Sequence, residues 1–243
     1  MKGLPTMQWN LPEKPAELAE QRIIKAILED VFPINSLLPS ERELSARIGV
    51  TRPTLREALQ RLSRDGWVEI HQGKPTRVRD FWAEGNLNVL SSISKYPEHL
   101  SENFVENLLQ IRYLLCPTYS LMAVTHNPEL IIDFLATKPE KSDAAEIYSD
   151  FDFNLHLRLT QASGNPIFTL ILNGFGELFK QKAIIYFHNE QARIYSYNFY
   201  GALETAFLSK KPEIVYGLTE QVMKNSISFW KNADLNLGGN DEC

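Results

Sequence analysis

Cysteine is scarce in this sequence of 243 residues, since only Cys116 and Cys243 occur. Two cysteines, one inside a helical pattern and one at the last residue, do not provide the disulfide framework of a small secreted protein. Long apolar runs are also missing, because stretches such as 167–172 are far shorter than the roughly 20 residues that cross a bilayer. The N-terminal segment contains Asn10 and Glu13 where a signal peptide would have a continuous apolar core. The sequence therefore predicts a reduced, cytoplasmic protein without a membrane partner.

The chain also lacks a net positive charge. Its net charge is −5, from 25 Lys and Arg against 30 Asp and Glu. That total argues against a nucleic-acid partner, but its distribution is uneven. Residues 42–79 contain nine basic and four acidic side chains. A local basic stretch on an acidic chain is typical of a DNA-binding module joined to a separate regulatory body. From charge alone, an ordinary solvated surface explains the pattern equally well.

Capping signals divide the N-terminal part into helices. Apolar residues at helical spacing predict a first helix over 16–31. Ser40, followed three residues later by Glu43, predicts the start of a short helix that ends near Gly49. Thr51 predicts the start of a further helix of about 14 residues, since Gly66 is suited to its C-terminal cap.

A hairpin follows these helices. Residues 67–71 and 76–80 flank a turn and are typical of two short strands. Helix, helix, tight turn, helix and hairpin make a winged helix-turn-helix, whose last helix enters the major groove of DNA. The predicted base- and phosphate-contacting residues of the helix pair are Arg42, Thr51, Arg52, Thr54 and Arg56. Those predicted on the hairpin, or wing, are Lys74, Arg77 and Arg79.

The remainder of the chain has helical patterns and no convincing strand. The predicted helices, separated by proline and glycine, are 101–125, 128–137, 143–163, 166–188, 190–209 and 212–233. The fold class is therefore mainly α, with an N-terminal winged helix-turn-helix and a C-terminal all-α helical bundle. The predicted divisions are 1–80 for DNA binding, 81–100 as a linker, 101–235 for an effector domain and 236–243 as a flexible tail.

Two segments carry a family resemblance. LPSERELSARIGVTRPTLREALQRLSRDGWVEIHQGKPTRV resembles the DNA-binding domain of the GntR family of bacterial regulators. DFNLHLRLTQASGNPIF, with ASGNPIFTLILNG, resembles the ligand-binding domain of the FadR branch of that family. The resemblance implies a homodimer on a palindromic operator of double-stranded DNA, released by long-chain acyl-CoA. It further implies repression of fatty-acid degradation genes and activation of unsaturated fatty-acid synthesis genes.

The resemblance also assigns individual residues. Arg42, Arg52, Thr54 and Arg56 match DNA-contacting positions of the family, and Gly73 matches the wing tip that enters the minor groove. Ser226 and Trp230 match positions of the FadR branch that are tied to the inducer response. Pro53 departs from the branch, which has threonine there, and the pair His71-Gln72 is reversed. Met223 stands where the branch has glycine, which bears on the CoA end of the ligand.

Relatives of the second domain often hold a metal ion with one Asp and three His. Asp152 and His156 lie one helical turn apart and match the first two ligands. The third and fourth positions fall on Gly201 and Lys224, which are not ligands of this type. Two ligands do not make a tight transition-metal site. The prediction is therefore no metal, with Asp152 and His156 as a hydrogen-bonded pair that lines a pocket.

Aromatic and aliphatic residues at helical spacing supply the lining of an acyl pocket. The predicted ligand-binding residues are Asp152, His156, Phe168, Leu172, Phe175, Phe179, Tyr186, Phe187, Phe199, Ser226 and Trp230. An ordinary helical core would show the same spacing. A regulator of the same family with a smaller carboxylate effector, held with the help of a metal, is the alternative. An enzyme is disfavoured, since no nucleophile motif, phosphate loop or complete ligand set is present, and no cofactor is predicted.

Overall fold

The computed structural model describes residues 14–237, with two compact units that meet between Val89 and Leu90. The boundary lies inside the stretch predicted as a linker, 81–100. That stretch contains two short helices, α4 (Phe81–Glu84) and α5 (Leu87–Ile93), and a 3-10 turn over Pro97–His99. Local capping explains the first of them, because the Asp80 carboxylate accepts a hydrogen bond from the Ala83 backbone N–H.

The first unit begins with three helices, α1 (Pro15–Leu28), α2 (Glu41–Ile48) and α3 (Arg52–Asp65). The predicted caps form: the Ser40 hydroxyl accepts from the Glu43 N–H, and the Thr51 hydroxyl accepts from the Thr54 N–H. Gly49 ends α2 at φ 78°, a left-handed conformation that costs glycine little. The turn between α2 and α3 is therefore as short as a helix-turn-helix requires.

The core of this unit lies between α1 and α3, which pack against each other. Both helices bury an apolar stripe at helical spacing, Ala19, Ile23 and Ile27 on α1 and Leu55, Ala58, Leu59 and Leu62 on α3. Trp67 follows α3, is fully buried and packs against Phe81 with ring centroids 4.9 Å apart and ring planes tilted by 40°. This packing fixes the position of α3 and leaves its opposite face to solvent.

The wing is an antiparallel pair of strands, β1 (Val68–Glu69) and β2 (Arg77–Val78). Val68 pairs with Val78 and Glu69 with Arg77, and an isolated bridge joins Leu37 to Arg77. The strands are shorter than the predicted ranges 67–71 and 76–80. Residues 70–75 are exposed to solvent, so their side chains have no core to pack against. A hairpin without such packing is only marginally stable, which explains why the strands end early.

The second unit is a bundle of helices: α6 (Glu102–His126), α7 (Pro128–Leu135), α8 (Ala145–Ala162), α9 (Pro166–Asn173), α10 (Gly176–His188), α11 (Glu190–Leu208) and α12 (Pro212–Leu237). The most extensive packing is between α6 and α12, followed by α8 with α10. A cluster of buried residues runs through α6, α8, α11 and α12. Two residues of the predicted tail, 236 and 237, belong to α12, and the others lie outside the described residues.

The helix predicted over 166–188 is wrong as a single element, because the chain breaks into α9 and α10 at Gly174 and Phe175. The Gly174 N–H closes the end of α9 on the Leu170 and Ile171 carbonyls. A Cβ on Gly176 would meet the Phe153 ring at 3.0 Å, so glycine permits a close contact with α8 at the start of α10. The break lets Phe175 pack with Leu172 and Phe179 in a second small cluster.

Across residues 14–237, we find no helix that combines the length and the apolar character needed to cross a membrane.

Candidate functional site

The exposed face of α3 carries the predicted base-reading residues of the first unit. Arg52 and Arg56 expose 57% and 58% of their side chains. Thr51 is exposed, and Thr54 is half-buried with its hydroxyl 2.8 Å from that of Thr51. Pro53 lies in the first turn, where its missing N–H costs no hydrogen bond of the helix. A helix terminus that presents two arginines and two hydroxyls can contact both phosphates and base edges.

A carboxylate of the preceding helix pairs with these arginines. Glu41 Oε2 accepts a hydrogen bond from Arg56 Nε at 2.7 Å and lies 4.0 Å from an Arg52 guanidinium nitrogen. Arg42, the next residue, is exposed. All these pairs are accessible to solvent, so each contributes at most about 1 kcal/mol to stability.

The wing tip is open, while one of its predicted contacts is occupied. Gly73 has φ 71° and space around the position of a Cβ, and Lys74 beside it is exposed. Arg77 is instead held within the unit, with Nε donating to Glu69 at 3.0 Å and a second nitrogen 3.4 Å from Glu84. The structure thus gives Arg77 a part in stabilising the base of the wing, which the predicted DNA contact did not include.

A pocket that is partly open to solvent lies inside the helical bundle. Its wall comes from α6, α8, α10, α11 and α12. The apolar lining residues are Val105, Leu108, Leu109, Phe175, Leu178, Phe179, Ala183, Phe187, Phe199, Val222 and Met223, and the polar ones are Arg112, Asp152, Lys182, Tyr186, Ser196, Ser226 and Trp230. A mainly apolar wall with a few polar groups is typical of a small-molecule site.

An ion pair forms part of this wall. Arg112 and Asp152 approach to 3.6 Å, and their side chains are only 13% and 14% exposed. The Arg112 guanidinium also lies 4.1 Å from the ring centroid of Phe179, and the Tyr200 hydroxyl donates to Asp152 at 3.0 Å. Burial raises the pKa of Asp152, and the Arg112 charge and the Tyr200 hydrogen bond oppose that rise.

His156 lies behind Asp152, away from the pocket surface. Its Nδ1 is 2.8 Å from the Tyr119 hydroxyl, and its Nε2 is 3.8 Å from Asp152 Oδ2. Burial and the nearby Arg112 charge hold the pKa of His156 well below its usual value, and burial raises the pKa of Tyr119. A neutral imidazole that accepts from Tyr119 at Nδ1 carries its proton on Nε2, facing the carboxylate.

We expect His156 to make the protein less stable below neutral pH. The unfolded state takes up a proton near pH 6.5 while folded His156 stays neutral, so stability falls as the pH drops through 6.5. The loss is at most about 1.4 kcal/mol per pH unit. Urea unfolding at several pH values between 7.5 and 5.5 measures the slope of the free energy of unfolding against pH, and this slope should be flatter in His156→Gln. The matched control His188→Gln changes an exposed imidazole; equal slopes for wild type and His156→Gln would contradict the assignment.

The two metal candidates do not gain further ligands. No group of three or more His, Cys, Asp and Glu side chains in residues 14–237 is arranged to hold a metal ion. Gly201 and Lys224 bring no imidazole to Asp152. The predicted hydrogen bond between Asp152 and His156 is wrong, because His156 Nε2 lies 3.8 Å from Asp152 Oδ2 and has no hydrogen-bond partner. Their hydrogen bonds are instead to two tyrosines, His156 to Tyr119 and Asp152 to Tyr200.

Most of the predicted ligand residues meet in the pocket, and three do not. Those that line it are Asp152, Phe175, Phe179, Tyr186, Phe187, Phe199, Ser226 and Trp230. Phe168 and Leu172 instead line a neighbouring cavity of about 260 Å³, because α9 ends before the stripe of α10 begins. His156 is fully buried behind the wall.

Sequence reasoning missed two cations of the pocket, Arg112 and Lys182. Each interrupts an apolar stripe at helical spacing. Arg112 continues the stripe of Val105, Leu108 and Leu109 on α6, and Lys182 follows Phe175, Leu178 and Phe179 on α10. A charge on an apolar stripe was the signal that identifies both, since such a position faces the interior of a bundle.

Comparison with known families agrees with this two-part arrangement. Residues 15–78 match the model for bacterial regulatory proteins of the gntR family, and residues 79–240 match the model for the FadR C-terminal domain. The chain belongs to the FadR branch of the gntR family. This is a family of transcription regulators, and not of enzymes.

Curated relatives extend over nearly the whole chain. It is 43% identical over 216 residues to the fatty acid metabolism regulator protein of Shewanella baltica, covering 89% of this chain and 91% of that one. It is 41% identical over 232 residues to the protein of the same name from Shewanella pealeana, covering 93% and 97%. With the Pectobacterium atrosepticum protein of that name it shares 40% over 218 residues, covering 90% and 91%.

A solved structure supports the fold alone. The regulator Lar, which controls expression of the Listeria monocytogenes agr system, superposes with a TM-score of 0.57 at 15% sequence identity. The match covers 92% of this chain and 99% of that one.

Proposed function

We propose that this protein regulates transcription of fatty-acid metabolism genes and binds long-chain acyl-CoA in the pocket of its helical unit. The pocket carries the proposal, because its mainly apolar wall, built from five helices, suits a long hydrocarbon chain. Burying about 15 methylenes at roughly 0.8 kcal/mol each yields a gross ~12 kcal/mol, from which the cost of association is subtracted. The fatty acid metabolism regulator proteins among its relatives support the same ligand class.

The first unit supplies the DNA-binding surface in this proposal. Arg52 and Arg56 read base edges from α3, because a guanidinium can donate two hydrogen bonds to guanine. Thr51 and Thr54 contact phosphate or thymine methyl groups, and Arg42 contacts the backbone from the start of α2. On the wing, Gly73 allows close approach to the minor groove. The ammonium group of Lys74, also on the wing, contacts the phosphates.

The operator is palindromic and the protein binds it as a homodimer. Acyl-CoA favours a dimer geometry in which the two α3 helices no longer match the half-site spacing, so the ligand releases the DNA by population shift. Release derepresses fatty-acid degradation genes and ends the activation of unsaturated fatty-acid synthesis genes. The ion pair of Arg112 and Asp152 forms part of the pocket wall.

A small carboxylate effector is the competing candidate. Arg112 would favour it, since a guanidinium pairs with a carboxylate in two parallel hydrogen bonds. A small anion, however, would leave most of the apolar wall without contacts, and Asp152 already occupies that guanidinium. The apolar lining therefore favours the acyl ligand.

The test is operator release. A palindromic duplex is first selected from random DNA with the purified protein, and its affinity is then measured by fluorescence anisotropy with and without oleoyl-CoA. We expect oleoyl-CoA to weaken binding about 5- to 150-fold for each coupled site, the usual range of allosteric coupling. Free CoA serves as the control without an acyl chain.

Two further additions separate the candidates. Small dicarboxylic acids with a divalent metal, and a chelator added to the protein alone, test the metal-assisted alternative. Release by a small acid but not by oleoyl-CoA would replace the acyl-CoA proposal with that alternative. An operator affinity that no ligand changes would contradict both.

A further inference from the structure

One cation of the pocket has no carboxylate partner among the side chains that the structure describes. Lys182 lines the pocket and is half-buried, and no ion pair between described side chains includes it. Its ammonium lies over the Trp230 ring, 5.9 Å from the centroid. Lys180, two residues earlier on α10, instead pairs with Asp150 at 3.3 Å and stacks on Phe153 outside the pocket. The two lysines therefore have different surroundings although they share a helix.

The charges that line the pocket do not cancel. Arg112 and Lys182 contribute two positive charges, and Asp152 contributes one negative charge at most. Asp152 is already paired with Arg112, which leaves the ammonium as the excess charge. A cation that is partly removed from water without a partner costs free energy, and an anion placed beside it recovers that cost.

Further donors lie near this ammonium. Trp230 is 8% exposed, and its indole N–H has no hydrogen-bond partner although it lines the pocket. The Tyr186 hydroxyl is buried without a hydrogen bond of good geometry, close to the hydroxyl of Ser226. Tyr186 follows Lys182 by one turn of α10, and Trp230 follows Ser226 by one turn of α12, so two pairs of polar residues share a helix face each. Buried donors without acceptors are rare in folded proteins, so an acceptor placed beside these two groups would stabilise them.

We propose that Lys182, Trp230 and Tyr186 form an anion-binding subsite of the pocket, which takes anionic oxygens of an amphipathic ligand, either directly at the end of its apolar chain or farther along its head group. The inference rests on the proposed function, namely that the pocket holds an acyl ligand. Two ligands offer this chemistry, a fatty acid through its carboxylate and an acyl-CoA through its phosphates. The subsite makes Lys182 a specificity-determining residue that distinguishes anionic ligands from neutral ones of equal chain length.

The test compares three ligands with one chain: oleoyl-CoA, oleate and the neutral oleyl alcohol. Affinities are measured by displacement of a fluorescent fatty acid from wild type, Lys182→Met and Lys180→Met. Methionine keeps the length and apolar contacts of lysine and removes the charge. We expect Lys182→Met to weaken anionic ligands about tenfold to a hundredfold, the range for a hydrogen bond to a charged group, and to leave oleyl alcohol unchanged. The control Lys180→Met should bind all three as wild type does.

The pattern of loss identifies the anion. A loss confined to oleoyl-CoA assigns the subsite to phosphate, while a loss that includes oleate assigns it to carboxylate. Lys182→Arg should retain most of the affinity, which a loss of folding would not reproduce. Thermal unfolding of each variant and a second neutral variant, Lys182→Gln, guard against a misfolded protein.

Three results would overturn the subsite. The first is that Lys182→Met binds both anionic ligands with wild-type affinity. The second is that Lys182→Met loses as much affinity for oleyl alcohol as for the anionic ligands. Either of these leaves the acyl pocket intact and removes only the role of Lys182. The third, in which wild type binds none of the three ligands, overturns the proposed function together with the subsite.

Discussion

Replacing Asp152 by alanine is expected to lower the free energy of unfolding by about 3–5 kcal/mol, the cost of breaking a buried ion pair from one side. The change leaves the Arg112 guanidinium, only 13% exposed, without its carboxylate. It also removes the acceptor of the Tyr200 hydroxyl. Urea denaturation at one fixed protein concentration measures the loss, since dimer formation would make stability depend on concentration.

The same helix offers a matched control. Asp150 lies two residues earlier, is 68% exposed and pairs with Lys180 at 3.3 Å. Asp150→Ala should cost no more than about 1 kcal/mol. The double variant Arg112→Met/Asp152→Leu should recover most of the stability, because apolar residues of similar volume replace both charges. Equal losses for the two single alanine variants would show that the pocket pair is not buried in solution.

Replacing Arg52 by alanine is expected to lower affinity for the selected operator by about 1–3 kcal/mol and to relax base preference at one position per half-site. The physical reason is the loss of two directed hydrogen bonds to a base edge. Lys74→Ala, on the wing, should weaken binding to all sequences alike and reduce the salt slope by about one. Anisotropy titrations on the operator and on single-base variants, at several salt concentrations, distinguish the two patterns.

The control for this pair of variants is Arg64→Ala. Arg64 lies at the opposite end of α3, is 70% exposed and pairs with Asp65. Arg64→Ala changes the net charge by the same amount as Arg52→Ala and leaves the face that carries Arg52 unaltered. If Arg52→Ala and wild type bound the operator equally, the assignment of the reading face would be wrong.

The first unit could be predicted closely because its signals are local. Ser40 and Thr51 cap their helices through hydrogen bonds, and Gly49 ends α2 in a left-handed conformation. Each of these features depends on residues no more than four positions away in the sequence. The break between α9 and α10 escaped the same reasoning. Gly174 and Gly176 are local signals for it, but the close contact of Gly176 with Phe153 of α8 joins residues far apart in sequence, which helical spacing does not show.

The pocket shows the same division between local and distant causes. Its aromatic lining could be predicted from helical spacing, and most of it is present. Arg112 and Lys182 lie on the same apolar stripes, but their residue types alone argue against an interior position, since long charged side chains usually lie at the surface. His156 illustrates the converse, because spacing placed it beside Asp152 but only the packing of Tyr119 shows that it lies behind the wall.

Glu41 gives the arginines of α3 a second use. Before DNA arrives its carboxylate holds Arg56 and lies near Arg52, so both guanidinium groups are already oriented over the face they would present. If these arginines read bases as proposed, a matching base edge would replace one acceptor with another, and little side-chain freedom would be lost. On a mismatched sequence the arginines would return to Glu41. We therefore expect Glu41 to limit the free-energy penalty for a wrong base, which would let the protein move along non-operator DNA.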